Sequence, residues 1–161
     1  MKCLQCGHAM TSKRENVQYK SLPGAVLVGV EVSRCPHCGE YEVHIPAIED
    51  LNRVLAQAVI EKQSRLNGGE IRFLRSYLGL SGADFANTIG SDKATVSRWE
   101  SGKQPIGHHT DLLLRTMVML GKKVEQYPIE DFKKITDDNV KSKYEVALSA
   151  KKKWQPARAA A

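Results

Sequence analysis

No stretch of the 161-residue chain stays apolar long enough to cross a bilayer. The longest unbroken run is Ala25 to Val30, and Leu112 to Leu120 is interrupted by Arg115 and Thr116, against the roughly 18 residues a span requires. The N-terminus, Met-Lys-Cys-Leu-Gln-Cys-Gly-His, lacks the apolar core of a secretory signal, so the expectation is a cytoplasmic chain whose cysteines are not disulfides. Also missing are a nucleophile elbow, the phosphate-cradling glycines of a Walker loop and a pair of carboxylates in a pocket-like context, which removes the usual grounds for expecting an enzyme. No internal repeat exceeds one paired cysteine motif.

What remains is ordinary globular composition, 42% hydrophobic and 26% charged, with a modest basic excess of +6. Two thirds of that excess lies in residues 122–161, where ten Lys and Arg face six Asp and Glu. If the four cysteines bound one Zn²⁺ as thiolates, the total would fall to +4. Such a balance permits nucleic-acid binding, and a solvated lysine surface would look the same.

Composition separates four segments. Residues 1–47 hold all four cysteines, a turn at Pro23-Gly24 and valine-rich Ala25 to Val32, which reads as short strands around a metal. Residues 48–69 read as a linker helix and hinge. Ile48, Leu51, Leu55, Ala58 and Leu66 fall near helical spacing, Pro46 suits a first helical turn, and Asn67-Gly68-Gly69 supplies a stop and a domain boundary. Residues 70–121 predict four short helices: Glu70 to Leu78, one opened by Ser81 with Asp84 three residues on, one opened by Ser91 after Gly90, and His108 to Leu120. The last carries apolar residues most of the way round, so it is either central or has a second face for a partner. Residues 122–161 form a basic extension, with short helices expected over 128–135 and 143–154 and a frayed end from Pro156.

The strongest chemical signal is Cys3-Leu-Gln-Cys6-Gly7 paired with Cys35-Pro-His-Cys38-Gly39. Two residues between thiols let both sulfurs of a tight turn face one ion, and the following glycine lets the chain turn so that backbone N–H groups support the thiolate charge. Four thiolates fill a tetrahedron about one Zn²⁺ and leave no position for substrate, which makes the site structural. A redox dithiol would need a single such motif at a helix N-terminus, and two motifs in a β-rich segment do not fit that pattern. Iron takes the same ligands. His8 and His37 stand beside the cysteines and are expected as surface residues.

In the second half, Ala86, Gly90, Val96 and Trp99 fall at intervals of four, six and three, as required where two short helices cross closely through a tight turn. Arg75 and Glu100 make a plausible ion pair tying the first helix to the end of the third. Lys93, Ala94, Thr95, Ser97 and Arg98 are then left on the outer face, with Lys103 just beyond. A small helical bundle with a solvated polar face is the competing reading.

The string Leu78-Gly-Leu-Ser-Gly-Ala-Asp-Phe-Ala86, then Thr95-Val-Ser-Arg-Trp-Glu-Ser-Gly102 with Pro105, resembles an Xre/Cro-type helix-turn-helix. With the paired cysteine motif upstream, residues 1–121 resemble the YgiT-type zinc-finger/helix-turn-helix family of MqsA-like antitoxins. The resemblance implies an α+β chain, a small β-rich zinc domain with four cysteine ligands followed by an all-α helix-turn-helix domain. It further implies a homodimeric repressor that binds a palindromic operator in double-stranded DNA and neutralises a small toxin protein through the zinc domain. Arg98 matches the recognition-helix arginine used for base contact. Ala94 stands where that family carries a base-reading asparagine, so the operator must differ, and Gly82 stands where Xre-type proteins commonly carry a glutamine that makes a phosphate contact at the helix end. A stand-alone zinc-containing Xre-type regulator without a toxin partner is the alternative.

Overall fold

A computed structural model describes residues 1–121, 135, 143–149 and 151–157. The chain is α+β. Strands β1 (Thr11–Gln18), β2 (Ala25–Arg34) and β3 (Tyr41–His44) precede five helices, α1 (Ile48–Glu61), α2 (Gly68–Tyr77), α3 (Gly82–Thr88), α4 (Lys93–Glu100) and α5 (His108–Gly121). Two more strands follow, β4 (Tyr144–Leu148) and β5 (Trp154–Pro156).

All five strands join one sheet organised around β2. Its valine-rich sequence suits a pleated, half-buried surface, and β1 pairs antiparallel along one edge. The buried apolar positions of β2 are Ala25 and Leu27, then Val30 and Val32, so the apolar inward face changes parity midway. A break in register between Glu15 and Val17 accounts for this, with Asn16 Oδ1 accepting the Gly29 N–H at 3.0 Å. One extra residue at a bulge sends every later side chain to the other face. The second edge of β2 is shared: β3 pairs antiparallel with Glu31 to Arg34, and β4 pairs parallel with Ala25 to Val28.

That last pairing corrects two expectations about the basic extension. Residues 143–154 are not a helix, because Tyr144 and Val146 alternate into the core with period two and the chain turns back at Lys152 to pair β5 with β4. Pro156 and Ala157 are not frayed either, since Pro156 pairs with Val146 and the Ala157 N–H donates to the Glu145 carbonyl at 2.8 Å. The helix expected over 128–135 lies, except for Ile135, outside the described residues. Trp154 fixes the hairpin to α1, its backbone N–H donating to Asp50 at 2.8 Å and its indole N–H to the Pro46 carbonyl at 2.7 Å.

The expected hinge at Gly68-Gly69 is also corrected. Both glycines lie in the first turn of α2, where Asn67 and Glu70 form a reciprocal capping box. A Cβ on Gly68 would sit 2.5 Å from the Glu100 carbonyl oxygen and 2.7 Å from that of Trp99, and one on Gly69 would sit 2.9 Å from Pro23 Cγ. Glycine is there for close approach rather than freedom. One hydrophobic core runs from Leu22, Leu27 and Val32 through Leu51, Leu55 and Val59 to Phe85, Trp99 and Val118, so the sheet and the helices share an interior.

Helix α1 ends at Glu61, five residues before the expected Leu66, and begins two residues after Pro46, which accepts the Trp154 indole bond instead of opening the helix. Segment 62–67 is held by α5. Arg115, fully buried, donates to the carbonyls of Ile60 at 2.7 Å, Lys62 at 2.6 Å and Ser64 at 2.8 Å, and pairs with buried Asp111 at 2.5 Å. Asp111 in turn accepts the Leu66 N–H at 2.8 Å. The guanidinium thus satisfies carbonyls left open where α1 stops. Nearby, buried Glu70 accepts from Lys62 Nζ and the Asn67 N–H, each at 2.8 Å, and from the Tyr144 hydroxyl of β4.

Candidate functional site

The two cysteine motifs fold as matching turns. Gly7 and Gly39 adopt φ of +72° and +77°, and their N–H groups donate to the carbonyls of Cys3 at 2.9 Å and Cys35 at 3.0 Å. A left-handed residue at that point is what glycine supplies cheaply. The turns face each other at the end of the sheet, because β2 runs directly into Cys35. The Sγ atoms of Cys3 and Cys38 lie 3.5 Å apart, those of Cys6 and Cys35 3.4 Å, and those of Cys6 and Cys38 3.4 Å. All four cysteines are free thiols, too far apart for a bond of about 2.05 Å. Sulfurs 2.3 Å from a shared tetrahedral ion would be separated by about 3.8 Å, close to the observed spacing. Cys3, Cys6, Cys35 and Cys38 therefore form a group able to hold a metal ion.

Their protonation supports the same conclusion. The Cys38 N–H has the largest influence on Cys35, and with the His37 N–H and hydrogen bonds from Cys6 and Cys38 it draws that thiol down to about 6. For Cys6 the His8 N–H pulls the same way but is outweighed by burial and by its three sulfur neighbours, and the thiol rises to about 12. Cys38 receives the Glu40 N–H and is nevertheless raised, with Cys3, burial and Cys35 opposing ionisation. Sulfurs this close cannot all carry charge unaided; a dication at their centre removes the conflict. His8 and His37 are exposed as expected. Their rings stack across the two turns, with centroids 3.9 Å apart and planes within 6°, and they form a second possible ligand group with Cys6. Nothing in the sequence signals that stacking, because the residues are 29 positions apart.

The second candidate site is the outer face of α4. Val96 and Trp99 are buried and turn the helix inward, while Ala86 lies buried on α3 and Gly90 makes the turn between them at φ +66°. The expected Arg75–Glu100 pair is present and bidentate, at 2.5 and 3.2 Å, and Arg72 adds a third contact to Glu100 at 3.3 Å. The helix opens one residue later than expected. Asp92, not Ser91, is the N-cap, accepting the Thr95 N–H at 2.8 Å and the Thr95 hydroxyl at 2.6 Å. These two bonds, hydroxyl first, hold the Asp92 carboxyl below its ordinary range.

Lys93, Ala94, Ser97 and Arg98 are exposed, as is Lys103 beyond Gly102. Thr95 is half-buried, and its hydroxyl also accepts from the Arg98 guanidinium at 2.9 Å. The structure thus gathers five of the six named residues on or beside one face. Thr95 is a partial exception, because its hydroxyl already positions Arg98.

On α5, Leu114 and Val118 fill the core, whereas Leu113 and Leu120 are 44% and 77% exposed with half-buried Met117 between them. Spacings of four and three place these three on one stripe. No helix among the described residues is long and apolar enough to cross a membrane. Compared with the models of known protein families the chain matches none, and no curated protein matches it.

Proposed function

We propose that the protein is a sequence-specific, DNA-binding transcriptional repressor with a structural Zn²⁺ in the Cys3, Cys6, Cys35 and Cys38 site. The observation that carries this reading is the outward presentation of Lys93, Ala94, Ser97 and Arg98 on a short helix whose inner face and C-terminal end are both anchored. A rigid helix with its N-terminal half exposed after a tight turn is the element that enters a major groove. Arg98 offers a planar donor fork for guanine O6 and N7, and its bond to Thr95 limits its rotamers before DNA arrives. Lys93 reaches a base or the adjacent phosphate; Ser97 and Lys103 suit phosphates. Zn²⁺ fits four closed thiolates and gives the β-rich end a fixed shape.

Dimerisation through Leu113, Met117 and Leu120 would set two recognition helices about 10 base pairs apart or a multiple of that, on a palindrome. The metal-bearing half carries three exposed apolar side chains, Met1, Leu4 at 89% and Tyr41, which a protein partner such as a toxin would cover. The stand-alone regulator without a toxin has its own support. Strand β4 occupies the edge of β2 that β3 leaves open, and β5 ties that hairpin to α1, so the metal half is built into the helical half rather than carried as a separate docking module. Co-purification from the native host separates the two, since a small protein retained by the wild type and lost with Leu4→Ser favours the antitoxin. DNA binding itself is tested by titrating the chain onto the fragment upstream of its own reading frame. Binding no stronger than to random DNA of equal length removes the proposal.

A further inference from the structure

Helix α4 is capped in the reverse order to α3. At α3 the hydroxyl stands at the cap and the carboxylate three residues on, Ser81 Oγ donating to Asp84 at 2.6 Å. At α4 the carboxylate stands at the cap and the hydroxyl on the helix: Asp92 Oδ1 accepts the Thr95 N–H at 2.8 Å, and Oδ2 accepts the Thr95 hydroxyl at 2.6 Å. A hydroxyl has one proton, and this one goes to Asp92. Toward Arg98, three residues on along the same face, Thr95 can then only accept, as it does from Nη2 at 2.9 Å. Asparagine caps a helix as well as aspartate does, and it would put no negative charge beside a surface that meets phosphates. What asparagine lacks is the second acceptor oxygen, which here fixes the direction of the Thr95 bond.

We propose that Asp92 and Thr95 are positioning residues for base recognition, acting through Arg98 rather than on the DNA, and that the Asp92–Thr95–Arg98 chain of hydrogen bonds sets the specificity of α4. The chain occupies one of the five guanidinium donors and leaves four for a guanine edge. An arginine held in this way has lost rotamer freedom before DNA arrives, so less entropy is lost on binding. That gain is realised only where the base matches the aimed fork, and it falls on the cognate sequence rather than on random DNA. The role in reading DNA rests on the proposed DNA-binding function; the hydrogen-bond chain within the free protein does not.

Three variants test it in the metal-loaded, full-length chain. Thr95→Val removes the hydroxyl at nearly constant shape, Thr95→Ser keeps it, and Asp92→Asn keeps the cap but offers Thr95 a donor in place of an acceptor. Without DNA, the ¹H–¹⁵N heteronuclear NOE of the Arg98 Nε–H should show an ordered side chain in the parent and in Thr95→Ser, and a mobile one in Thr95→Val and Asp92→Asn. An equally ordered Arg98 in Thr95→Val overturns the proposal. With DNA, Thr95→Val and Asp92→Asn should each lower the ratio of upstream-fragment to random-DNA affinity about three- to ten-fold per half-site, and Thr95→Ser should preserve it. In an Arg98→Ala background Thr95→Val should cause no further loss of that ratio. A Thr95→Val loss that is equal on both DNAs, or that persists without Arg98, overturns the specificity role. A parent that prefers its upstream fragment no more than random DNA, yet whose Arg98 becomes mobile in Thr95→Val, retains the hydrogen-bond chain and loses the DNA-binding reading instead.

Discussion

Gly68→Ala separates a packed junction from a hinge by the sign of its effect. In a hinge, alanine would restrict the unfolded chain and stabilise the protein by about 0.4–1 kcal/mol, and the first turn of a helix would add to this. Here the new methyl meets three backbone atoms of α4, the Glu100 O at 2.5 Å, the Trp99 O at 2.7 Å and the Glu100 C at 2.8 Å. Backbone held by the Arg75–Glu100 pair and by buried Trp99 cannot swing aside as the end of a side chain would. Overpacking of this kind costs about 1–3 kcal/mol, which exceeds the entropic gain. At about 2–4 °C per kcal/mol for a chain of this size, the midpoint should fall by several degrees. Gly82→Ala is the matched control, because a Cβ there meets nothing within 4 Å in another first helical turn, and it should be neutral or stabilising. Thermal unfolding by circular dichroism of the metal-loaded protein reads both. A Gly68→Ala protein as stable as the parent would refute the packed junction and restore the hinge.

Other expectations follow from the same contacts. Arg115→Met should destabilise by about 3–5 kcal/mol in urea titrations, because it leaves Asp111 charged and buried and uncaps three carbonyls; a loss under about 1 kcal/mol would contradict this. Metal uptake near pH 7 should release at least two protons, from Cys6 and Cys38, whose thiols are raised, while Cys35, drawn to about 6, is already mostly ionised. Affinity should therefore fall as pH falls, and calorimetry in buffers of different ionisation enthalpy that finds no release would count against four-thiolate binding. Leu120→Asp should leave the fold intact, since that side chain is 77% exposed, yet yield a monomer in sedimentation; an unchanged dimer would place the interface elsewhere.

The elements carrying dense local signals were legible in the sequence. Cysteine spacing with a trailing glycine located the metal group. The Ser81–Asp84 box, Gly90 and the inward Val96 and Trp99 located α3 and α4, and opposite charges at Arg75 and Glu100 marked the pair that ties α2 to the end of α4. What was not legible depended on partners distant along the chain. Gly68-Gly69 reads as flexible unless the α4 carbonyls pressed against it are known. Arg115 reads as an interruption in an apolar run, although it is fully buried, because the carbonyls it serves are more than 50 residues away. Tyr144 and Val146 carry a period-two pattern too short to outweigh the surrounding lysines, and the β2 edge that selects it lies 119 residues earlier at Ala25.

The central claim is that Arg98 reads sequence from α4. Fluorescence anisotropy of a labelled upstream fragment, at fixed salt and against random DNA, tests it with wild type, Arg98→Ala and Lys103→Ala. Arg98→Ala should lose about 1–3 kcal/mol per half-site on the upstream fragment and almost nothing on random DNA. Lys103→Ala should weaken both alike and lower the salt slope by about one. An Arg98→Ala protein that binds the upstream fragment as tightly and selectively as the parent would contradict the claim.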